Sequence, residues 1–230
     1  MGTRKILRAA WRGAALCLAA AGLSGCFDLS QTIGVGRDGS GRYQVAASAS
    51  GIIGQGLKNE NLVDTADNPV QLTTSDVNGL VTRTATIDFK SLSDVTLGNE
   101  QLSLAVTGRD FFGLGPAHVT LRSTLFVDRV RNSQAAANTS AMGEEIARRI
   151  LGNHAYVLSV TVPGSIDRAL PIVIGNQVYQ PAVTGDYLHH TVIWRLPLYE
   201  LVSTHALNFE VDYSAYVFFN SAVTRLGRAG

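Results

Sequence analysis

The stretch "LNFEVDYSA", residues 207–215, decides the fold class. Every second residue is apolar or aromatic, and the residues between them are polar. In a β-strand, successive side chains point to opposite faces. A period of two residues therefore predicts that one face of this strand is buried and the other is solvated. This pattern is typical of an antiparallel sheet with one covered face.

Three further segments alternate in the same way, at residues 80–89, 119–128 and 156–162. Between two apolar–polar runs lies "GRDGSGR", residues 36–42, and an Asp-Gly turn in such a place predicts a β-hairpin. "TVIWRLPL", residues 191–198, predicts a strand that ends at Pro197 and buries Trp194. The chain past its first 25 residues therefore reads mostly as strands.

Two segments predict helices. The first is predicted over residues 140–150, with Ser140 or Asn138 as its N-terminal cap. Met142, Ile146 and Ile150 form its apolar stripe, and Gly152 stops the helix. A second helix is predicted from about Ser48 to Lys58, although its three glycines each cost roughly 1 kcal/mol relative to Ala. Its inward residues are expected to be Ile52, Ile53 and Leu57. We therefore expect an α+β domain, a twisted antiparallel sheet with one or two helices packed on one face.

The N-terminal segment predicts export. Residues 1–12 contain four cations and no acid, and the apolar run that follows, residues 13–23, is shorter than the roughly 20 residues of a membrane-spanning helix. Leu23-Ser24-Gly25-Cys26 resembles a bacterial lipobox, in which the cysteine receives a diacylglyceryl group and the chain is cut before it. We expect residues 1–25 to be a removed signal peptide and residues 26–230 to be one domain anchored by lipid on Cys26. The alternative is an ordinary secretory signal cut after Gly25, with Cys26 free.

Two or more acyl chains on Cys26 would hold the protein stably on a membrane. The next residue is Phe27 and not Asp, which resembles the default sorting of Gram-negative lipoproteins to the outer membrane, although Asp28 follows. The expected location is the cell envelope, on the outer membrane and facing the periplasm. Cys17 lies in the removed segment, so no disulfide is expected.

Charge excludes one class of partner. Beyond the first 25 residues the chain has 15 Lys and Arg against 18 Asp and Glu, a net charge of −3. A nucleic-acid-binding domain is expected to be strongly basic. No nucleic-acid partner is therefore predicted.

Catalytic and ligand-binding motifs are missing from the sequence. "GIIGQG", residues 51–56, lacks the lysine of a phosphate-binding loop, and no G-x-S-x-G elbow is present. His189 and His190 are adjacent in a predicted strand and point to opposite faces, so they do not share a metal. We expect no enzyme activity, no cofactor and no metal.

One loop predicts a contact site. "RDFFGLGP", residues 109–116, places Phe111 and Phe112 in a Gly/Pro turn between strands. Exposed rings on such a loop suit a membrane interface, the mouth of a ligand cavity or a partner contact. The alternative is that both rings tuck beneath the loop and extend the core.

Several of these features together resemble the LppM-type lipoprotein domain of bacterial envelopes. They are the lipobox, the "DGSG" turn at residues 38–41, "VTVPG" at residues 160–164 and "TVIWRLPL" at residues 191–198. The resemblance implies an α+β domain, anchoring at the surface and, for some members, a lipid-binding cavity. Such proteins often end in a transmembrane helix, which this sequence lacks.

The expected function is that of a lipid-anchored, non-enzymatic envelope protein that binds a lipid or another apolar ligand. The alternative is a structural or assembly lipoprotein that docks an envelope protein. A large apolar cavity would favour the first role. A filled core with an exposed apolar patch would favour the second.

Overall fold

The computed structural model describes residues 27–63, 65, 68–98, 100–126, 151, 153–186, 188–219 and 221–223. Within these ranges the chain forms fourteen strands and two short helices, neither long and apolar enough to cross a membrane. The strands are β1 (Phe27–Val35), β2 (Gly41–Ser50), β3 (Gln71–Val77), β4 (Leu80–Phe89), β5 (Glu100–Arg109), β6 (Ala117–Phe126), β7 (Ala155–Pro163), β8 (Ser165–Ala169), β9 (Ile172–Ile174), β10 (Gln177–Tyr179), β11 (Ala182–Gly185), β12 (His189–Pro197), β13 (Ala206–Ala215) and β14 (Ser221–Val223). The helices are α1 (Gly51–Leu57) and α2 (Leu198–Ser203).

Twelve of these strands form two sheets. The first sheet has the order β11-β12-β7-β1-β2-β4-β3, in which β1 and β7 run parallel and all other neighbours run antiparallel. The second sheet has the order β14-β5-β6-β13-β8 and is antiparallel throughout. Strands β9 and β10 form a separate hairpin.

The two sheets pack face to face around one core. The inward residues of β1, β2, β4, β7 and β12 join those of β5, β6 and β13 in a single buried cluster. The ring centroids of Trp194 on β12 and Phe209 on β13 lie 5.7 Å apart across the interface. Each strand contributes alternate residues because one face of each sheet is covered by the other sheet.

The expected α+β architecture is wrong, because the fold is rich in β-structure. The second sheet covers the face of the first on which helices were expected, and its strand β13 contains the alternating stretch of residues 207–215. Helix α1 forms near its expected place, and its Leu57 packs with Ala47 and Ala49. Ile52 does not face inward as predicted, since 71% of its surface is exposed. The helix expected over residues 140–150 lies outside the described residues.

The other predicted elements are confirmed. Residues 80–89 form β4, and residues 156–162 lie within β7. "GRDGSGR" makes the β1–β2 turn, in which Asp38 Oδ1 accepts a hydrogen bond from the Ser40 amide at 3.1 Å and Gly39 has a φ of 81°. Trp194 is fully buried, and β12 ends at Pro197.

Candidate functional site

The sandwich has two ends that differ in what they present. Strand β1 begins at Phe27, at what we call the entry end, and it ends at the β1–β2 turn. The β5–β6 turn and the segment after β13 lie at the same end as the β1–β2 turn, since Arg109 Nη2 donates to the Val217 carbonyl at 3.1 Å and the Phe218 amide donates to the Arg37 carbonyl at 2.8 Å. Strand β1 spans roughly 26 Å at the usual rise per residue, so the two ends are well separated.

The end away from Phe27 carries a patch of exposed apolar side chains. Phe112 is fully exposed, and the exposed fractions of Phe111 and Leu114 are 77% and 87%. Phe218 is 81% exposed on the neighbouring segment. We call this set the apolar tip, and its members are Phe111, Phe112, Leu114, Tyr216 and Phe218.

The loop that carries the two phenylalanines is a closed turn. The Asp110 carbonyl accepts hydrogen bonds from the amides of Gly113 at 3.0 Å and Gly115 at 2.9 Å, and the Asp110 amide donates to the Pro116 carbonyl at 3.1 Å. A side chain on Gly115 would collide with Asp110. These contacts hold the rings outward.

The backbone of this loop is strained at both rings. Phe111 and Phe112 have φ values of 48° and 55°, a left-handed region that bulky residues rarely adopt. Each such residue costs on the order of 1–3 kcal/mol, and strain of this kind clusters at functional sites. Because neither ring gains burial in return, the hydrogen bonds of the turn hold this conformation, and packing of the rings does not.

A second unusual feature is a carboxylate in the core. Glu100, at the start of β5, is fully buried between the sheets. Gln31 Nε2 donates to its two oxygens at 2.9 and 3.0 Å, the Tyr43 hydroxyl donates at 2.8 Å, and the Ser123 hydroxyl also donates to it. The Tyr156 hydroxyl donates to Gln31 Oε1 at 2.7 Å and completes the network.

Burial raises the pKa of Glu100 above its usual 4.5, and the hydrogen bonds from Ser123, Tyr43 and Gln31 oppose that rise. Burial also raises the pKa values of Tyr43 and Tyr156, and the charge of Glu100 adds to the effect. The three groups that donate to Glu100 lie in the core. The Glu100 carboxylate on β5 therefore connects β1, β2 and β6 through hydrogen bonds. This network links the sheets and is closed to solvent.

The outer face of the second sheet carries a serine, a histidine and two carboxylates. His118 Nδ1 lies 3.0 Å from Ser214 Oγ, and His118 Nε2 lies 2.9 Å from Asp110 Oδ1. Ser214 Oγ also donates to Asp167 Oδ2 at 2.5 Å. This is the residue set of a serine nucleophile with its base, so its proton arrangement decides what it can do.

The hydrogen bonds of Ser214 differ from those of an activated nucleophile. The Ser214 hydroxyl donates to Asp167, and His118 Nδ1 lies against the same hydroxyl oxygen. His118 Nε2 faces the Asp110 carboxylate. Asp110, with a smaller contribution from Asp167, raises the pKa of His118.

Two open surface depressions offer space for a ligand. One has a volume of about 270 Å³ and lies beside His118 and Asp167. Paired charges line it, among them Arg122 and Glu210, whose Nε and Oε2 atoms are 2.5 Å apart. The other, of about 250 Å³, lies near His154 and Arg195 at the entry end. Apolar ligand sites usually have volumes of 300–1,000 Å³ and enclose their ligand. The described core between the sheets is filled by large side chains, among them Trp194.

The residues predicted from sequence are placed as follows. Phe111 and Phe112 are exposed and do not extend the core. Cys26 lies outside the described residues. His189 and His190 begin β12, and in the described part of the chain no three or more His, Cys, Asp or Glu side chains are placed to hold one metal ion together.

Sequence reasoning missed four features. Leu114 lies in the stretch of residues 109–116 but was not predicted as a contact residue, and its exposed side chain is part of the apolar tip. Tyr216 and Phe218 follow the alternating strand β13 and break its pattern, which was the available signal. Glu100 is in phase with the buried Leu102 and Leu104 of β5, so the alternation places it inward. The His118 cluster joins residues far apart in sequence, and no local pattern predicts it.

Comparisons with known proteins add a distant likeness. No family model matches the chain, and no curated protein matches it. Among solved structures, the chain is similar to the NMR structure of the Mycobacterium tuberculosis LppM folded domain, at 15% identity and a TM-score of 0.40. The match covers 84% of this chain and 93% of that one.

Proposed function

We propose that this chain is a lipid-anchored protein of the bacterial cell envelope whose sandwich acts as a non-catalytic docking module. The lipobox-like sequence before Cys26 supports the anchor. The observation that carries the docking role is the apolar tip, which exposes two phenylalanines on a strained, hydrogen-bonded loop. A protein partner with an apolar pocket would bury those rings, and the burial would offset the free-energy cost of exposing them in the free protein.

The position of the tip supports a partner away from the anchoring membrane. Strand β1 starts at Phe27, directly after the proposed lipidated cysteine, and the tip lies at its other end. With the entry end at the bilayer, the tip would stand roughly 26 Å further out. That distance is too large for the rings to enter the same bilayer while the sandwich stands upright.

A carrier role for lipid is the less favoured alternative. A lipid ligand would need an enclosed apolar cavity, whereas large buried side chains occupy the described core and the two depressions are small and open. A hydrolase role is also less favoured, since the Ser214 hydroxyl donates to the Asp167 carboxylate. The docking role accounts for the strain in the loop, and neither alternative does.

Site-specific photo-crosslinking in cells tests the proposal. A photoreactive phenylalanine analogue replaces Phe112 in the full-length protein, and the matched control places it at Val178, which is 53% exposed on the β9–β10 hairpin. We expect a discrete protein adduct from position 112, absent from position 178 and lost when Phe111 is changed to Ser. Adducts to lipid alone at position 112 would refute protein docking and favour membrane insertion.

A further inference from the structure

The entry end of the sandwich carries its own apolar surface. Ile52 is 71% exposed, Val77 is 61% exposed and Leu80 is 40% exposed. Val77 and Leu80 are direct partners across the Asn78-Gly79 turn between β3 and β4. We call Ile52, Val77 and Leu80 the entry rim.

Strand register places the entry rim in line with the start of the folded chain. Phe27 pairs with Ala49 of β2, Ala49 pairs with Val81 of β4, and Val81 pairs with Asp76 of β3. One residue further along each of β2, β4 and β3 lie Ser50, Leu80 and Val77, which pair with one another in turn. The rim therefore lies at the same end of the seven-stranded sheet as Phe27, where the described chain begins.

No spacer separates the proposed lipid attachment from the sheet. Phe27 is already paired with Ala49, and its amide donates to His154 Nδ1 at 3.1 Å. The next residue, Asp28, accepts a hydrogen bond from the Ala155 amide at 3.1 Å. A chain fixed in this way from its first described residue cannot hold the sandwich far from acyl chains on the preceding residue.

The acidic neighbour of Val77 is paired with a cation. Asp76 Oδ2 lies 2.9 Å from Lys58 Nζ. The Arg83 guanidinium is held nearby, where its Nη1 donates to the Lys58 carbonyl and, at 2.9 Å, to Thr74 Oγ1. Three exposed aliphatic side chains beside a paired charge suit the boundary between lipid headgroups and acyl chains.

We infer that the entry rim is a second membrane contact, which presses the sandwich end-on against the bilayer that holds its lipid anchor. The inference rests on the proposed lipidation of Cys26. It adds an orientation that a lipid anchor alone does not impose: the sheet stands with β3 and β4 touching the surface and with the apolar tip directed away. The occupant of this surface is the lipid bilayer itself.

Single-thiol labelling tests the inference on the full mature protein. If Cys26 is lipidated and Cys17 is removed with the signal peptide, a new cysteine is the only reactive thiol. A nitrobenzoxadiazole label is attached to Val77→Cys, with Val178→Cys and Phe112→Cys as matched exposed controls. Each protein is reconstituted into vesicles of phosphatidylethanolamine and phosphatidylglycerol, floated to confirm anchoring, and treated with the anionic reductant dithionite.

The expected result is a blue-shifted label at position 77 that is reduced at least about tenfold more slowly than at positions 178 and 112, because an ion is excluded from the apolar region. Flotation with equal reduction rates at all three positions would overturn the entry-rim contact and leave the lipid anchor intact. Failure to float would overturn the anchor and the inference together. Protection at position 112 with exposure at position 77 would reverse the orientation and refute both proposals.

Discussion

The buried carboxylate of Glu100 gives the sharpest prediction about stability. Changing Glu100 to Ala removes the acceptor of three donor groups, on Gln31, Tyr43 and Ser123, which all lie in the core. An unsatisfied buried donor costs about 1–3 kcal/mol. Water entering the vacated space relieves part of this cost, so we expect a loss of about 3–5 kcal/mol in the free energy of unfolding.

Urea denaturation of the folded domain, followed by circular dichroism, measures this loss. Glu100→Gln is the matched control, since it keeps the shape and an acceptor oxygen, and we expect it to cost about 1–2 kcal/mol at pH 4. The Ala variant should lower the urea midpoint and leave the slope unchanged. A loss below about 1 kcal/mol for Glu100→Ala would refute the reasoning, because the network would then be replaceable by water.

The same carboxylate sets a pH dependence with a definite sign. Burial raises the pKa of Glu100 above 4.5, so the folded protein holds the proton to a higher pH than the unfolded chain does. Its contribution to stability is complete below the unfolded pKa and is lost as the pH rises through the folded pKa. Glu100→Gln does not titrate, so its stability relative to wild type should improve from pH 4 to pH 7. A constant difference would contradict the raised pKa.

Three further predictions concern other parts of the fold. His118 should titrate above its usual 6.5 in an NMR titration, and Asp110→Asn should bring its pKa down, because Asp110 is the main cause of the rise; an unchanged pKa in the variant would contradict this. Gly164→Ala should lower the melting temperature more than Gly175→Ala, since both have positive φ but only at Gly164 would the new methyl group meet backbone, in β13; equal effects would show that the contact is relieved. Tyr213→Phe should raise the free energy of unfolding, measured by urea denaturation, by about 1 kcal/mol. The reason is that the Tyr213 hydroxyl is buried without a hydrogen-bond partner among the described residues, and an unsatisfied polar group is costly. A loss of stability would show that the hydroxyl has a partner.

Alternation of apolar residues predicted seven of the eight described strands that have nine or ten residues, and β5 was missed although its buried Leu102 and Leu104 alternate. Strands β1, β2, β4, β6, β7, β12 and β13 all follow from it, because each has one face on the core. Strand β3, "QLTTSDV", is exposed along its whole length, and the short strands β8 to β11 bury few residues, so no alternation marks them. Local pattern reports burial, and strands that bury little leave no such pattern.

The class of fold, the direction of the two phenylalanine rings and the hydrogen bonds of Glu100 could not be predicted from single strands. Alternation in β13 shows that one face is covered but does not say whether a helix or a second sheet covers it. Phe111 and Phe112 could be singled out from a Gly/Pro turn, whereas their outward direction depends on the hydrogen bonds of Asp110. Glu100 could have been placed inward by its phase with Leu102, but its donors come from other strands and are known only once the sheets are assembled.

The placement of β1 also determines how the protein would carry mechanical load. This strand lies in the middle of its sheet, joined to β2 along nine residue pairs and to β7 along six. A pull on the chain at Phe27, opposed by a partner held at the far end, would run along the strand and not across it. All the hydrogen bonds on both sides of β1 would then share the load at once, whereas a pull across the strand would open them one at a time. The sandwich is thus arranged to transmit tension lengthwise from one end to the other.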